Sequence, residues 1–208
     1  MKNTTKKVTK KVVKEDLTST ADFLFEAGML AKTPRSWAGF LGSGDQSVAE
    51  HTNRTTYIGF VLSHMVKGVD VAKVVQMCMF HDFSEARISD LNYVHQKYTE
   101  RLEHKALEDL VASVPFGQSI KAIIEEYEER KTLESIVAKE TDNLEFILTL
   151  KEQKDAGNER AASWIPSAVK RLKLKESQAL AAKIIKTESD HWWFGDKGDE
   201  WWVSRNKK

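Results

Sequence analysis

An all-α, helical-bundle fold is what this sequence predicts, on three observations. Apolar residues recur at three- and four-residue spacing in one segment after another. No stretch before the Trp-rich end alternates with the two-residue period of a half-buried strand, and no internal repeat is present. The connections between periodic segments are mostly short, so helix must pack on helix. At 208 residues the chain has the length of one domain with short appendages, enough to bury a core without disulfides.

The elements follow in chain order. Residues 1–14 are rich in Lys and Thr and read as a flexible, solvated tail. The domain proper is expected over residues 15–188. LTSTADFLFEAGML predicts a first helix, with Leu17, Ala21, Leu24 and Gly28 near one stripe. AKTPRSWAGFLGSGDQ breaks that pattern with Pro34 and three glycines and predicts a long loop. A second helix starts at Ser47, because SVAE is a capping box: Ser47 accepts from the Glu50 amide while Glu50 reaches back. Val48, His51, Thr55, Ile58, Leu62 and Met65 then share one face, and Gly68 ends the helix.

Asp70 caps a third helix whose apolar face runs Val71, Val74, Val75, Cys78 and continues into Asp82 and Glu85. After the turn ARISDLNY, an amphipathic helix is expected from about Thr99 to Ala112, carried by Leu102, Ala106, Leu110 and Val111. Pro115 and Gly117 punctuate, and IKAIIEEYEER makes another helix. A long helix follows over about Leu133 to Lys154, and a last one over about Ala168 to Lys186. Residues 189–208 form a separate extension holding four of the six tryptophans. There HWWFGDKGDEWW suggests a small hairpin around Gly-Asp-Lys-Gly, its rings covering an apolar patch on the domain or on a second subunit.

Composition excludes several function classes. Lys plus Arg number 32 against 31 Asp plus Glu, a net charge of +1, which argues against a general nucleic-acid binder. Cys78 is the one cysteine, so no intramolecular disulfide forms, as suits a reducing cytoplasm. No apolar run approaches the roughly 20 residues needed to span a bilayer. The lysine-rich N-terminus has no apolar stretch after it and does not read as a secretory signal.

The chemistry-bearing residues sit where apolar ones are expected. On a continuous third helix, His81 and Asp82 diverge by about 100°, with Cys78 and Glu85 between them, so all four fall on one broad face behind the valines. Carboxylates aimed into a core are costly unless paired or metal-bound. A divalent cation removes that cost, because it favours neutral imidazole and ionised carboxylate together. His51 occupies the middle of its own apolar stripe. Taken alone it reads as a core histidine with one hydrogen bond; beside a helix offering His81 and Asp82 it reads as a ligand. Glu50 points away and is explained by the capping box.

These residues resemble the HD-domain metal-dependent phosphohydrolases, and within them the small 5'-deoxynucleotidases that act on nucleoside monophosphates. The elements that carry the resemblance are PRSW at Pro34 to Trp37, VAEH ending at His51, HDFSEARISD, and KETDNLEFILTL with Asp142, in this order over about Leu17 to Lys154. The resemblance implies that His51, His81, Asp82 and Asp142 bind one divalent ion. Mixed imidazole and carboxylate ligation suits Mn²⁺, Co²⁺, Fe²⁺ or Zn²⁺ better than Ca²⁺. Asp142 is singled out by the resemblance alone, since the stripe of Leu133, Val137, Leu144 and Leu148 faces nearly opposite to it; the helix must be buried on two sides.

The resemblance further implies that Glu85 positions the attacking water and helps with proton transfer, and that Asp90 lies near the sugar and the leaving oxygen. Arg35 would offer its planar fork to phosphate oxygens, and Trp37 would pack on the sugar and exclude a 2'-hydroxyl. Taken singly, Arg35 could be a surface residue, Asp90 a turn cap, and Glu85 a partner of Arg87 or Arg54. A second ion would need His95 or His104, and a single ion is the expectation. The implied function is hydrolysis of nucleoside 5'-monophosphates, with deoxyribose preference, by a cytoplasmic homodimer that binds neither nucleic acid nor membrane. Two alternatives stay open: a nucleotide-binding regulator on the same scaffold with weak or no catalysis, and a hydrolase of another phosphate ester.

Overall fold

The computed structural model describes residues 17–100 and 102–204; the tail expected over residues 1–14 lies outside the described residues. Among the described residues the architecture is helical, and the one strand-like pairing is an isolated bridge between Pro34 and Ser47. The first helix, α1 (Thr18–Ala27), continues into a 3-10 turn over Gly28–Lys32. The expected loop contains one short helix, α2 (Ala38–Leu41). Helix α3 (Val48–Met65) begins at the capping box as its sequence predicts: Ser47 Oγ accepts from the Glu50 amide, and the Glu50 carboxylate accepts from the Ser47 amide.

The third helix is shorter than its apolar periodicity implies. Helix α4 (Val71–Phe80), capped by Asp70, stops at His81, and a turn leads into the four-residue α5 (Glu85–Ile88). The cause is local. The His81 ring Nδ1 donates to the Cys78 carbonyl (2.9 Å), the acceptor that the residue 82 amide would take in a continuing helix. The chain then tightens to three-residue steps, with the Glu85 amide donating to Asp82 O. The single-face projection of Cys78, His81, Asp82 and Glu85 is therefore corrected: the last two reach the site by a turn. Beyond α5 the chain leaves through Ser89 at φ 65°, a conformation rare without glycine, which turns Asp90 back toward the PRSW segment.

A single turn of 3-10 helix at His95–Lys97 precedes α6 (Glu103–Val111), which starts later than the expected Thr99. Helices α7 (Gly117–Glu129) and α8 (Leu133–Asp155) follow, α8 opening on Thr132, whose hydroxyl accepts from the Ser135 amide. The expected last helix is two: α9 (Glu159–Val169), begun by an Asn158 cap and carrying Pro166 inside, and α10 (Lys175–Lys186). The extension is not a hairpin but two helical turns, α11 (His191–Phe194) and α12 (Glu200–Val203). Its rings pack mainly on one another, Trp202 against Trp193, Phe194 and Trp201, and Trp192 is 85% exposed.

Two apolar clusters bracket the site. One gathers Ile58 and Leu62 of α3, Val74, Met77 and Cys78 of α4, and the inner residues of α8, α9 and α10. The other gathers Leu30, Val48, Phe83 and the inner faces of α6 and α7. His51 falls between Val48 and Ile58, and His81 between Cys78 and Phe83, so both histidines stand where the two clusters meet. Helix α8 packs against α3, α4 and α7 as well as α9 and α10, and is buried on two sides as expected. No described helix is long and apolar enough to cross a membrane.

Candidate metal centre

The four expected ligands converge. His51 Nε2 lies 3.3 Å from His81 Nε2, 3.4 Å from Asp82 Oδ2 and 3.3 Å from Asp142 Oδ1. His81 Nε2 is 3.2 Å from Asp82 Oδ2. Donor atoms of His51, His81 and Asp142 all fall within 4.8 Å of one another. The other ring nitrogens fix what these face-to-face atoms carry. His81 Nδ1 must hold a proton, because its partner is a carbonyl. His51 Nδ1 lies 2.6 Å from Glu145 Oε2, and that buried carboxylate accepts as well. In their neutral forms both imidazoles thus aim a lone pair at the other, which is unfavourable without a cation between them.

A cation there is either a proton or a metal ion. Without metal, burial and the Arg35 charge push the His51 imidazolium down, but hydrogen bonds with Asp142 and Glu145 outweigh them and hold it up to about 9. Burial opposes ionisation of Asp82 and Asp142 too, yet nearby cations keep both well below the usual carboxylate range: His81 foremost for Asp82, Lys139 for Asp142. Two lone-pair nitrogens and two ionised carboxylates at one point fit a first-row divalent ion, and the residues present suit that group.

Around this cluster the acidic residues bind Arg35 rather than leaving it open. Arg35 Nη1 donates to Asp82 Oδ2 (3.1 Å) and lies 3.9 Å from Glu85 Oε2; its Nε is 3.4 Å from Asp90 Oδ2. Asp90 also accepts from the Ser36 amide (3.0 Å). Glu85 is buried and faces Arg35, not the alternatives: Arg87 pairs with Glu26, and Arg54 with Glu145 and Glu152. Trp37 is buried under the Gly44 turn, whose φ of 74° at Gly42 and 92° at Gly44 brings backbone against the ring. His95 and His104 are exposed and stand outside the donor cluster.

Two cavities open from the cluster. One of about 440 Å³ is lined by His81, Asp82, Glu85, Tyr127 and Arg130. The other, about 790 Å³, runs past Arg35 and Asp90 to Trp37, Phe146 and Trp164. Both are bordered by Asp142, Lys139 and Arg171, so they meet at the cluster. Sequence reasoning missed Glu145, which is 1% exposed and held down to about 2: burial opposes that, but His51, Arg54 and Gln46 outweigh it. A signal was present, since Glu145 stands one turn from Asp142 on α8.

Comparisons with known proteins bear on the family and the fold. The model of a family described as HD domain matches residues 27–184. A curated protein, 5'-deoxynucleotidase HDDC2 of Dictyostelium discoideum, is 29% identical over 115 residues, 50% of this chain; the match spans 60% of that relative's length. Among solved structures, a conserved hypothetical protein of Pyrococcus furiosus is 28% identical with a TM-score of 0.70, over 80% of this chain and 99% of that one. A protein described as a predicted metal-dependent phosphohydrolase of Magnetospirillum magnetotacticum MS-1 shares the fold at 21% identity and TM-score 0.65, over 82% and 91%.

Proposed function

The chain belongs to the HD domain family, and from that premise we propose that it is a metal-dependent phosphohydrolase cleaving nucleoside 5'-monophosphates, with a 2'-deoxy preference, to nucleoside and phosphate. The observation that carries this reading is the pair of buried Nε2 atoms at 3.3 Å, closed by Asp82 and Asp142. His51, His81, Asp82 and Asp142 would hold one divalent ion. When bound, such an ion supplies Lewis acidity, lowering the pKa of a water and drawing charge from phosphoryl oxygens.

The chain's own residues do the rest. Glu85, buried beside Asp82 in the turn, orients the attacking water and takes its proton. Arg35 turns part of its fork to non-bridging oxygens while Asp82 and Asp90 hold its plane. Asp90, fixed by the Ser36 amide, meets the sugar side of the leaving group. Trp37 borders the larger cavity and packs on the sugar so as to exclude a 2'-hydroxyl. Glu145 keeps His51 Nε2 aimed at the ion. The larger cavity, at about 790 Å³, has room for a whole nucleotide.

The test is phosphate release from a panel of deoxy- and ribonucleoside mono- and triphosphates, with metal-stripped and metal-reconstituted protein. Release from deoxynucleoside monophosphates, dependent on the ion and abolished in His81→Ala, is expected. Tight nucleotide binding with no release from any substrate would replace the enzyme by a nucleotide-binding regulator.

A further inference from the structure

The cations that border the small cavity differ in how far they are already engaged. Arg35 is held by Asp82 and Asp90, and Lys139 donates to Asp142 at 2.6 Å. Arg171 is exposed and lies over the Phe146 ring. Arg130 is less engaged with carboxylates than Arg35 or Lys139: its Nη1, like the Arg35 Nε, is buried without a hydrogen-bond partner, its Nη2 lies 3.7 Å from Glu128, and its side chain also meets Tyr127.

The backbone at Arg130 adds a second, independent observation. It closes α7 at φ 55° and ψ 29°, the left-handed position that glycine or asparagine usually fills. The guanidinium lies on the Tyr127 ring at 3.5 Å, and that ring stands 5.2 Å from the His81 ring. An unfavourable backbone conformation and an orphan buried donor therefore coincide at one residue, and stacking aims it into the cavity that holds His81 and Asp82.

We propose that Arg130 is a substrate-binding residue whose Nη1 donates to a non-bridging oxygen of the phosphate group held at the donor cluster. This rests on the phosphohydrolase reading and extends it, because it supplies the open cation that Arg35, shared among carboxylates, lacks. It also makes the α7–α8 turn part of the phosphate pocket, in the cavity that Arg35 lines too.

The experiment uses inorganic phosphate as the probe, titrated by calorimetry into Mn²⁺-loaded protein, beside nucleotide kinetics. Arg130→Met keeps the stacking bulk and removes the donors; Arg130→Gly removes the side chain and suits the left-handed backbone. Both variants should bind phosphate about tenfold more weakly and show a raised KM, with metal content per chain unchanged. Arg130→Gly should melt no lower than wild type, which separates lost binding from lost folding. Phosphate affinity within twofold of wild type in both variants overturns the proposal. If wild type releases phosphate from no nucleotide but the variants still lose phosphate affinity, Arg130 stands as an anion-binding residue and the nucleotidase reading falls.

Discussion

His51 shows what a single side chain needs before it can serve as a ligand. Its ring is buried, its Nδ1 is fixed by Glu145, and Glu145 is itself held by Arg54 at 2.7 Å and Gln46 at 2.7 Å. Glu145→Gln keeps the shape but weakens that acceptor and removes its charge. Orienting partners of this kind are worth about 10–100-fold in metal affinity. Ion titration of the Glu145→Gln variant should show a loss in that range while the fold is retained. Unchanged affinity would mean that His51 is oriented by its packing alone. Of the candidate ligands, His51 in α3 and His81 and Asp82 behind the valines of α4 were legible because a polar residue in an apolar stripe stands out, whereas Asp142 was singled out by the resemblance alone. Glu145 was missed, since in KETDNLEFILTL it is one of several charged residues, and only its place one turn from Asp142 sets it apart. Only the packing of α3 against α8 brings it to His51.

At the level of elements, the approach of α3 to α4 decides how closely the two ligand-bearing helices sit. Gly59 is the point of contact: a Cβ there would lie 2.7 Å from Cys78 Sγ. In an isolated helix Ala is preferred to Gly by about 0.8–1 kcal/mol, so the glycine is kept for the approach and not for the helix. Gly59→Ala should destabilise by about 1–3 kcal/mol through overpacking. In a Cys78→Ala background the same substitution should become neutral or stabilising, because the clashing sulfur is gone. Thermal melts of the two single variants and the double variant check this, and simple additivity would show that the helices are not in contact there. Caps and periodicity made α3, α6, α7 and α8 legible, because those signals are local. The end of α4 was not, as it depends on the His81 ring competing for a backbone carbonyl. Helix α9 was missed because no helix is expected from the sequence between Lys154 and Ala168; Pro166 lies inside it, where it lacks the amide that would bond the Ala162 carbonyl.

Over the whole molecule, the cluster gathers charge from distant parts of the chain, and this makes stability depend on pH in a way that reports the site. In protein stripped of divalent ions the His51 imidazolium is held at about 9, above its ordinary 6.5. The folded state therefore binds that proton more tightly than the unfolded one. Its contribution is fully present below pH 6.5 and is lost as pH rises through about 9. Across this window Asp82, Asp142 and Glu145, all held below their ordinary values, stay ionised, and Arg35 stays charged. Cys78, which burial pushes up to about 12, stays neutral, so among these groups His51 is the one that changes. The stripped protein should lose about 3 kcal/mol between the two limits, a fall of several degrees in Tm. With a saturating divalent ion that loss disappears, because the ion takes neutral imidazole in place of the proton, so the ion's added stabilisation over the stripped protein grows across the same window. Calorimetric melts of stripped and loaded protein at matched pH would show the two curves diverging. Parallel curves would mean that His51 does not exchange a proton for the ion, and the reading of the paired Nε2 atoms would fail with them.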